Sequence, residues 1–327
     1  MRKEFLGVDL GSDKTSIYSF QQNRVIFSEA TAIAYEKTSK EVTEVGFLAE
    51  KIRGKTPFHY QVIHPVINGL IYDDDAAYDF LNTVLSRVGF SKRKRGVNIM
   101  FTAPSNCGKV HKKMLLALAK KLGFKNVYIE SQAKLSGIGI GEISFAPVAT
   151  LIADIGSGIT DIALLSMGEV VTADSTAIAG DTFDEAIRRY VIQKQHLKIS
   201  LKTAEYIKMK IGSIRELSEN RLVEIKGRDT VTFLPSSILI SSGEIKNVLL
   251  SLVNYISLKI TDVISATPSD LVADLTKNGL ILSGGGALLP GLKEYFQKSL
   301  SIPVKLVDRP QEAIIEGFKN LIPRLIK

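Results

Sequence analysis

Residues 9–34 and 154–179 align without a gap at a constant offset of 145 and share ten identities over 26 positions. The pairs are Asp9/Asp154, Gly11/Gly156, Ser12/Ser157, Thr15/Thr160, Ile17/Ile162, Val25/Val170 and the run Thr31 to Ala34 against Thr176 to Ala179. A register held through two turns marks an internal duplication rather than two hairpins of like composition, so the chain has to fold as two related halves. Each copy opens on a short apolar run, Phe5 to Val8 or Val148 to Ala153, that reads as a buried strand ending at the aspartate. A glycine turn, a second apolar segment (Ser16 to Phe20; Ile162 to Leu165), a polar turn and a third strand follow, which predicts a β-meander in each half.

Glycine in the first turn lets backbone N–H groups face inward with no side chain in the way, a concavity suited to phosphate oxygens. Ser12, and Ser157 or Thr160, add hydroxyl donors. Two such loops at the tips of homologous domains suit one polyphosphate gripped from opposite sides, with Asp9 and Asp154 holding a magnesium ion directly or through its waters. A third apolar run, Leu280 to Ser283, breaks into Gly284, Gly285 and Gly286 before a helix predicted from Pro290. Three glycines admit a flat ligand closely; they equally suit a tight strand-to-helix turn that needs small residues.

With 327 residues, 45% hydrophobic and 23% charged, the chain has room for two or more domain cores, and disorder, collagen and coiled coil are excluded. Cys107 is the single cysteine, and the four histidines show no metal-ligand spacing, so neither a disulfide framework nor a zinc site is expected and a reducing cytoplasm fits. The N-terminal segment meets Asp9 before an apolar signal region develops, and no run approaches eighteen apolar residues; neither secretion nor a membrane span is expected. The net charge of +8 is unevenly spread: residues 80–129 hold eleven positive side chains and no acid, leaving the remainder at −3. Lysines 109–125 read as the solvated face of an amphipathic helix, with Val110, Met114, Leu118 and Leu122 on its apolar side. The tight cluster Lys92, Arg93, Lys94 and Arg95 reads as an interaction loop, and without interleaved aromatics it does not suit single-stranded nucleic acid. No specific nucleic-acid partner is expected.

The segments VDLGSDKT, DIGSGITD and LSGGGALLPGL, in that order, resemble the two phosphate motifs and the adenosine motif of the actin and sugar-kinase ATPase superfamily. Gly180-Asp-Thr-Phe-Asp-Glu-Ala-Ile187, followed by Thr203-Ala-Glu-Tyr-Ile-Lys-Met-Lys-Ile-Gly212, is similar more narrowly to the MreB family of bacterial actins, and the likeness covers essentially the whole chain. The resemblance implies an α/β, actin-like ATPase fold of two duplicated α/β domains, each with a small subdomain, around a nucleotide cleft. Residues 1–28, 67–137 and 311–327 would form the first domain and 29–66 its subdomain; 138–176 and 244–310 would form the second and 177–243 its subdomain.

Carried over by motif, Gly11, Ser12, Asp13 and Lys14 form the first phosphate loop and Gly156, Ser157, Gly158, Ile159 and Thr160 the second, for ATP or ADP with Mg2+. Glu205 and Lys208, an i, i+3 pair on one helix face, meet ribose and adenine, and Gly284, Gly285, Gly286 and Ala287 lie under the base. The position that orients the hydrolytic water, a glutamate in the family, carries Gln132, with Thr160 as a second contact. Glutamine orients water without acting as a base, so slow hydrolysis is implied. Two lysines depart from the family pattern: Lys14, placed to strengthen phosphate binding, to slow release or simply to sit in solvent, and Lys134, placed either to add charge near the nucleotide or to reach solvent.

The family's membrane loop corresponds to residues 89–96, where Phe90 would insert while Lys92, Arg93, Lys94 and Arg95 face anionic lipid. The implied protein is a cytoplasmic filament former, peripheral at the inner face of the plasma membrane. It would self-associate into paired protofilaments, meet other shape-determining proteins and control cell shape. The alternatives are a small-molecule kinase on the same core, for which the insertions are short, and a plasmid-segregating, ParM-like filament.

Overall fold

In a computed structural model the chain separates into two compact units, one of residues 1–147, 165–170 and 312–327 and one of residues 148–164 and 171–311. The structure describes residues 4–55, 58–90, 96–141, 145–216 and 220–326. In chain order come β1 (Phe5–Leu10), β2 (Lys14–Ser19), β3 (Arg24–Ala30), β4 (Ile33–Glu36), β5 (Val42–Val45), α1 (Phe47–Ile52), β6 (Tyr60–Ile63), β7 (Val66–Ile67), β8 (Leu70–Ile71), α2 (Asp74–Arg87), β9 (Asn98–Ala103), α3 (Lys109–Lys121), β10 (Asn126–Ser131) and α4 (Gln132–Gly139). The chain continues with β11 (Thr150–Ile155), β12 (Thr160–Ser166), β13 (Glu169–Thr176), α5 (Gly180–Gln195), β14 (Leu197–Lys198), α6 (Leu201–Ile211), β15 (Leu222–Asp229), β16 (Pro235–Ser241), α7 (Ser242–Ser265), α8 (Ser269–Asn278), β17 (Leu280–Ser283), α9 (Leu292–Leu300), β18 (Val304–Leu306) and α10 (Ala313–Leu325).

The duplication seen over 26 residues governs two whole sheets. One runs β3-β2-β1-β9-β10 and the other β13-β12-β11-β17-β18. Their first strands sit at the sequence offset itself, Phe5–Leu10 against Thr150–Ile155. In the first sheet β1 pairs antiparallel with β2 and parallel with β9, so β1 is central and its residues are buried on both faces, as the unbroken Phe5 to Val8 run predicts. β11 pairs parallel with β17, and β17 with β18, in the same way. Between the third and fourth sheet strands the first unit inserts residues 31–97, which carry the sheet β5-β4-β6 and the helix α2. The second inserts residues 177–279, which carry the sheet β14-β15-β16 and helices α5 to α8.

Helix ends follow their side chains. Asp73 caps α2, its Oδ1 accepting the Ala76 N–H at 2.9 Å, and Ser241 with Glu244 forms a capping box at the start of α7. By length and composition α7 alone among the described helices is apolar enough to cross a bilayer. Its stripe Ile245, Leu249, Val253, Ile256, Ile260 and Val263 lies in the core of the second unit, the i, i+4, i+8 pattern of a buried helix face.

On α3 the lysines are solvated as expected, but the buried face is His111, Leu115, Leu118, Ala119 and Leu122, and Val110 is 73% exposed. Val110 precedes His111 by one residue, a turn of roughly 100°, which carries it off the buried stripe. The helix expected from Pro290 starts at Leu292, after a 3₁₀ turn at Gly285–Leu288 and a left-handed Gly291. In the first unit α4 and α10 meet through glycines: a Cβ on Gly139 would collide with the Ala313 carbonyl oxygen, and one on Gly317 with that of Leu135. A Cβ on Gly7 would meet the Phe318 ring at 2.5 Å, so β1 also carries a glycine where α10 lies against it.

Candidate functional site

The repeat delivers the same turn twice. In the first unit Gly11 N–H donates to the Lys14 carbonyl at 3.1 Å; in the second Gly156 N–H donates to the Ile159 carbonyl at 2.9 Å, again 145 residues on. A Cβ on Gly11 would lie 2.7 Å from the Lys14 carbonyl oxygen, so the turn requires glycine there. The Ser12 hydroxyl accepts the Gly69 N–H at 2.9 Å and keeps its own proton to donate. Asp13 and Lys14 are exposed, and the Asp13 carbonyl accepts the Thr31 N–H at 2.8 Å.

The aspartates before these turns are also supported alike. Asp9 Oδ1 accepts Thr102 Oγ1 at 3.0 Å, and Asp154 Oδ2 accepts Ser283 Oγ at 2.8 Å; each hydroxyl comes from the neighbouring parallel strand, β9 or β17. Burial raises the Asp9 carboxyl to about 6, against the smaller opposing pull of the Thr102 hydrogen bond and the Lys14 charge. Its other oxygen, Oδ2, has no hydrogen-bond partner among the described residues. A desolvated carboxylate with an open oxygen is a hard donor that gains from a small cation, so the residues present fit magnesium. No group of three or more metal-binding side chains occurs among the described residues, so such an ion would be completed by phosphate and water.

In the second unit the 156–160 turn is backed by α5, where Gly180 N–H donates to the Gly156 carbonyl at 3.1 Å and Asp181 N–H to that of Ser157 at 2.7 Å. The Ser157 hydroxyl has no partner among the described residues. Thr160 is buried and its hydroxyl donates to the Ile178 carbonyl at 2.7 Å, so toward a water it offers lone pairs only. On α6 Glu205 is exposed, whereas Lys208 Nζ donates to Asp184 Oδ2 at 2.7 Å and to the Gly180 carbonyl at 3.1 Å. The pair expected to share one helix face is present, and its lysine is held against the start of α5.

The glycine run has a physical reason beyond ligand approach. Gly284 has φ of +80°, and a Cβ there would strike the Ile155 carbonyl oxygen, while one on Gly286 would strike the Ile155 side chain. Two of the three glycines are thus needed to seat the turn on the end of β11. The 212–215 loop after α6 is joined to the same region, with Ile214 N–H donating to the Pro290 carbonyl at 2.7 Å. Loop 156–160, α5, α6 and turn 284–287 therefore form one connected surface of the second unit.

Gln132 is the first residue of α4, only 6% exposed, and its amide has no hydrogen-bond partner among the described residues. Lys134 does not reach solvent; it is 7% exposed and ion-paired with Glu130 and Glu169. Phe90 packs, half-buried, against the core of the first unit, its N–H donating to the Leu85 carbonyl at 2.7 Å. Lys92, Arg93, Lys94 and Arg95 lie outside the described residues.

Sequence reasoning did not single out Asp184, Thr102 and Ser283. Asp184 was visible inside the Gly180 to Ile187 motif, but its bond to Lys208 spans 24 residues and has no local signature. The two hydroxyls stand at the ends of strands whose pairing with β1 and β11 only the fold reveals.

A model of the MreB/Mbl protein family matches residues 3–326. The chain belongs to the MreB/Mbl family. The cell shape-determining protein Mbl of Bacillus subtilis (strain 168) is 33% identical over 322 residues, 98% of this chain and 96% of Mbl. Among solved structures, MreB5 of Spiroplasma citri bound to AMPPNP matches with a TM-score of 0.93 at 32% identity, covering 100% of this chain and 98% of that one. The same MreB5 bound to ADP matches with a TM-score of 0.93 at 33% identity and the same coverage. This MreB/Mbl chain is thus a bacterial actin homologue with the actin-like fold.

Proposed function

We propose that this chain binds ATP with magnesium, polymerises into paired cytoskeletal filaments at the inner face of the plasma membrane, and hydrolyses its nucleotide slowly in the service of cell shape. The observation that carries the reading is the pair of turns closed by the same hydrogen bond, Gly11 to Lys14 and Gly156 to Ile159, each following an aspartate held by a hydroxyl from the adjacent parallel strand. Binding of AMPPNP and of ADP by MreB5, at one third identity over the whole chain, supports the ligand class.

In this reading Ser12 and the Gly11 to Lys14 backbone in the first unit, and Gly156 to Thr160 in the second, are the phosphate-binding segments. Glu205, Lys208 and the turn Gly284 to Ala287 receive the nucleoside. Magnesium, when bound, neutralises phosphate charge; Asp9 and Asp154 would hold it. Gln132 orients the attacking water and Thr160 accepts from it. An amide has no basicity to add, so the rate depends on positioning, which is why hydrolysis is slow. The Lys92 to Arg95 cluster supplies the attraction to anionic lipid, and other shape-determining proteins complete the assembly.

Electron microscopy of the purified protein with ATP and magnesium, against ADP, tests the reading. Filaments, in pairs, are expected with ATP and fewer or none with ADP. Their absence in both states would favour a non-polymerising enzyme of the same superfamily.

A further inference from the structure

Lys134 stands where helix physics disfavours a cation. Ser131 is the N-cap of α4, and the Lys134 N–H donates to Ser131 Oγ at 2.8 Å, which places Lys134 third in the helix. A capping box would put glutamate there, and the positive end of the helix dipole repels an ammonium in the first turn. Burial adds a second cost, since Lys134 is nearly enclosed. Burial alone would lower the lysine pKa, but the hydrogen bond to Glu169 and the charge of Glu130 outweigh it, so the group stays charged.

The cap bond needs only the Lys134 backbone, so the side chain's two ion pairs are not required for the helix to start. A local rule broken twice, with an organised compensation, points to a role outside the helix itself.

The compensation is specific. Lys134 Nζ donates to Glu169 Oε2 at 2.9 Å and lies 3.2 Å from Glu130 Oε2. Glu130 is the penultimate residue of β10, and Glu169 opens β13 at the tip of the β12–β13 hairpin. Although Glu169 is 78% exposed, the tip that presents it is anchored. Met167 N–H donates to the Ala146 carbonyl at 3.0 Å, and Gly168 lies against the Phe145 ring. On the other flank, Ser105 Oγ donates to Ser131 Oγ at 2.9 Å. The first turn of α4 is therefore gripped from the strand before it, from a neighbouring loop and from a distant hairpin. Gln132 sits inside that grip with no hydrogen-bond partner for its amide among the described residues, so its direction follows from the placement of the turn and the packing around it rather than from a protein hydrogen bond.

We propose that Lys134 is a positioning residue: by clamping Glu130 and Glu169 it holds the first turn of α4 so that the Gln132 amide is aimed at the attacking water during ATP hydrolysis. The inference rests on the reading of Gln132 as the water-orienting group. It also explains a lysine at this position, since a glutamine, which cannot act as a base, contributes through geometry alone.

Steady-state phosphate release from the full chain, with ATP affinity read separately through a fluorescent ATP analogue, tests it. Lys134→Met is expected to lower kcat about tenfold with KM within twofold, and Lys134→Arg to retain most of kcat. In a Gln132→Ala background, Lys134→Met is expected to add no further loss. An equal loss in that background, or an unchanged kcat, overturns the proposal. If Lys134→Met does not fold, Glu169→Gln at its exposed position carries the same test, with a smaller loss of kcat that again vanishes without Gln132. Wild-type protein that fails to bind the analogue overturns the nucleotide reading. Wild-type protein that binds it but releases phosphate no faster than Gln132→Ala overturns the positioning role alone.

Discussion

Burial raises the Asp184 carboxyl to about 6, and the Lys208 ammonium at 2.7 Å only partly offsets it, in keeping with one carboxylate oxygen, Oδ1, left buried without a hydrogen bond. The fold thus favours the protonated form relative to the unfolded chain. The stability contributed is fully present below the unfolded value near 3.8 and is lost as pH rises through about 6. Replacing Asp184 by asparagine removes this titration. Between pH 5 and 7.5, urea unfolding of the nucleotide-free protein should show the wild type losing about 1 kcal/mol more than Asp184→Asn. Equal losses would mean that Lys208 holds the carboxylate ionised throughout. The environment of Lys134 is likewise not written in its neighbouring residues. Its partner Glu169 is 35 residues away, and nothing in the local pattern tells a buried, paired lysine from one in water.

Among elements, the α4–α10 packing is the tightest constraint in the first unit. Gly139 and Gly317 each stand where a Cβ would enter a carbonyl of the opposite helix, so the two backbones meet with no side chain between them. Gly317→Ala forces the helices apart or strains both, at a cost of about 3 kcal/mol. Chemical denaturation should show a lowered midpoint with an unchanged slope. Because α4 carries Gln132, phosphate release should fall as well; unchanged stability would show that the helices separate without penalty. Strand identity was legible at this scale. The apolar runs ending at Asp9 and Asp154 are β1 and β11, because a central strand buried on both faces must be apolar throughout. The face of α3 was less legible: Val110 and His111 are adjacent, and hydropathy alone places the wrong one inside.

For the whole molecule the charge distribution matters more than its sum. The lysines of α3 are solvated, Lys121 pairing with Asp75 at 3.0 Å, and Phe90 rests against the core. On the proposed reading, attraction to an anionic bilayer is assigned to the charges of Lys92, Arg93, Lys94 and Arg95 rather than to the Phe90 ring. At about 1 kcal/mol per cation near such a surface, replacing all four by glutamine should weaken binding on the order of 100-fold or more. Co-sedimentation with anionic vesicles should show that loss, and raised salt should mimic it. Phe90→Ala should instead lower stability. Equal binding to neutral and anionic vesicles would defeat the electrostatic account.

The duplication, the strand-glycine-turn pattern of both halves and the family were all readable from the chain alone, because they depend on residues close in the chain and on a register repeated 145 positions on. Which hydroxyls hold Asp9 and Asp154, why Gly284 and Gly286 must be glycine, and what Lys134 grips emerge from the folded chain. Each of those depends on groups brought together by strand pairing and helix packing, from segments that share no local pattern.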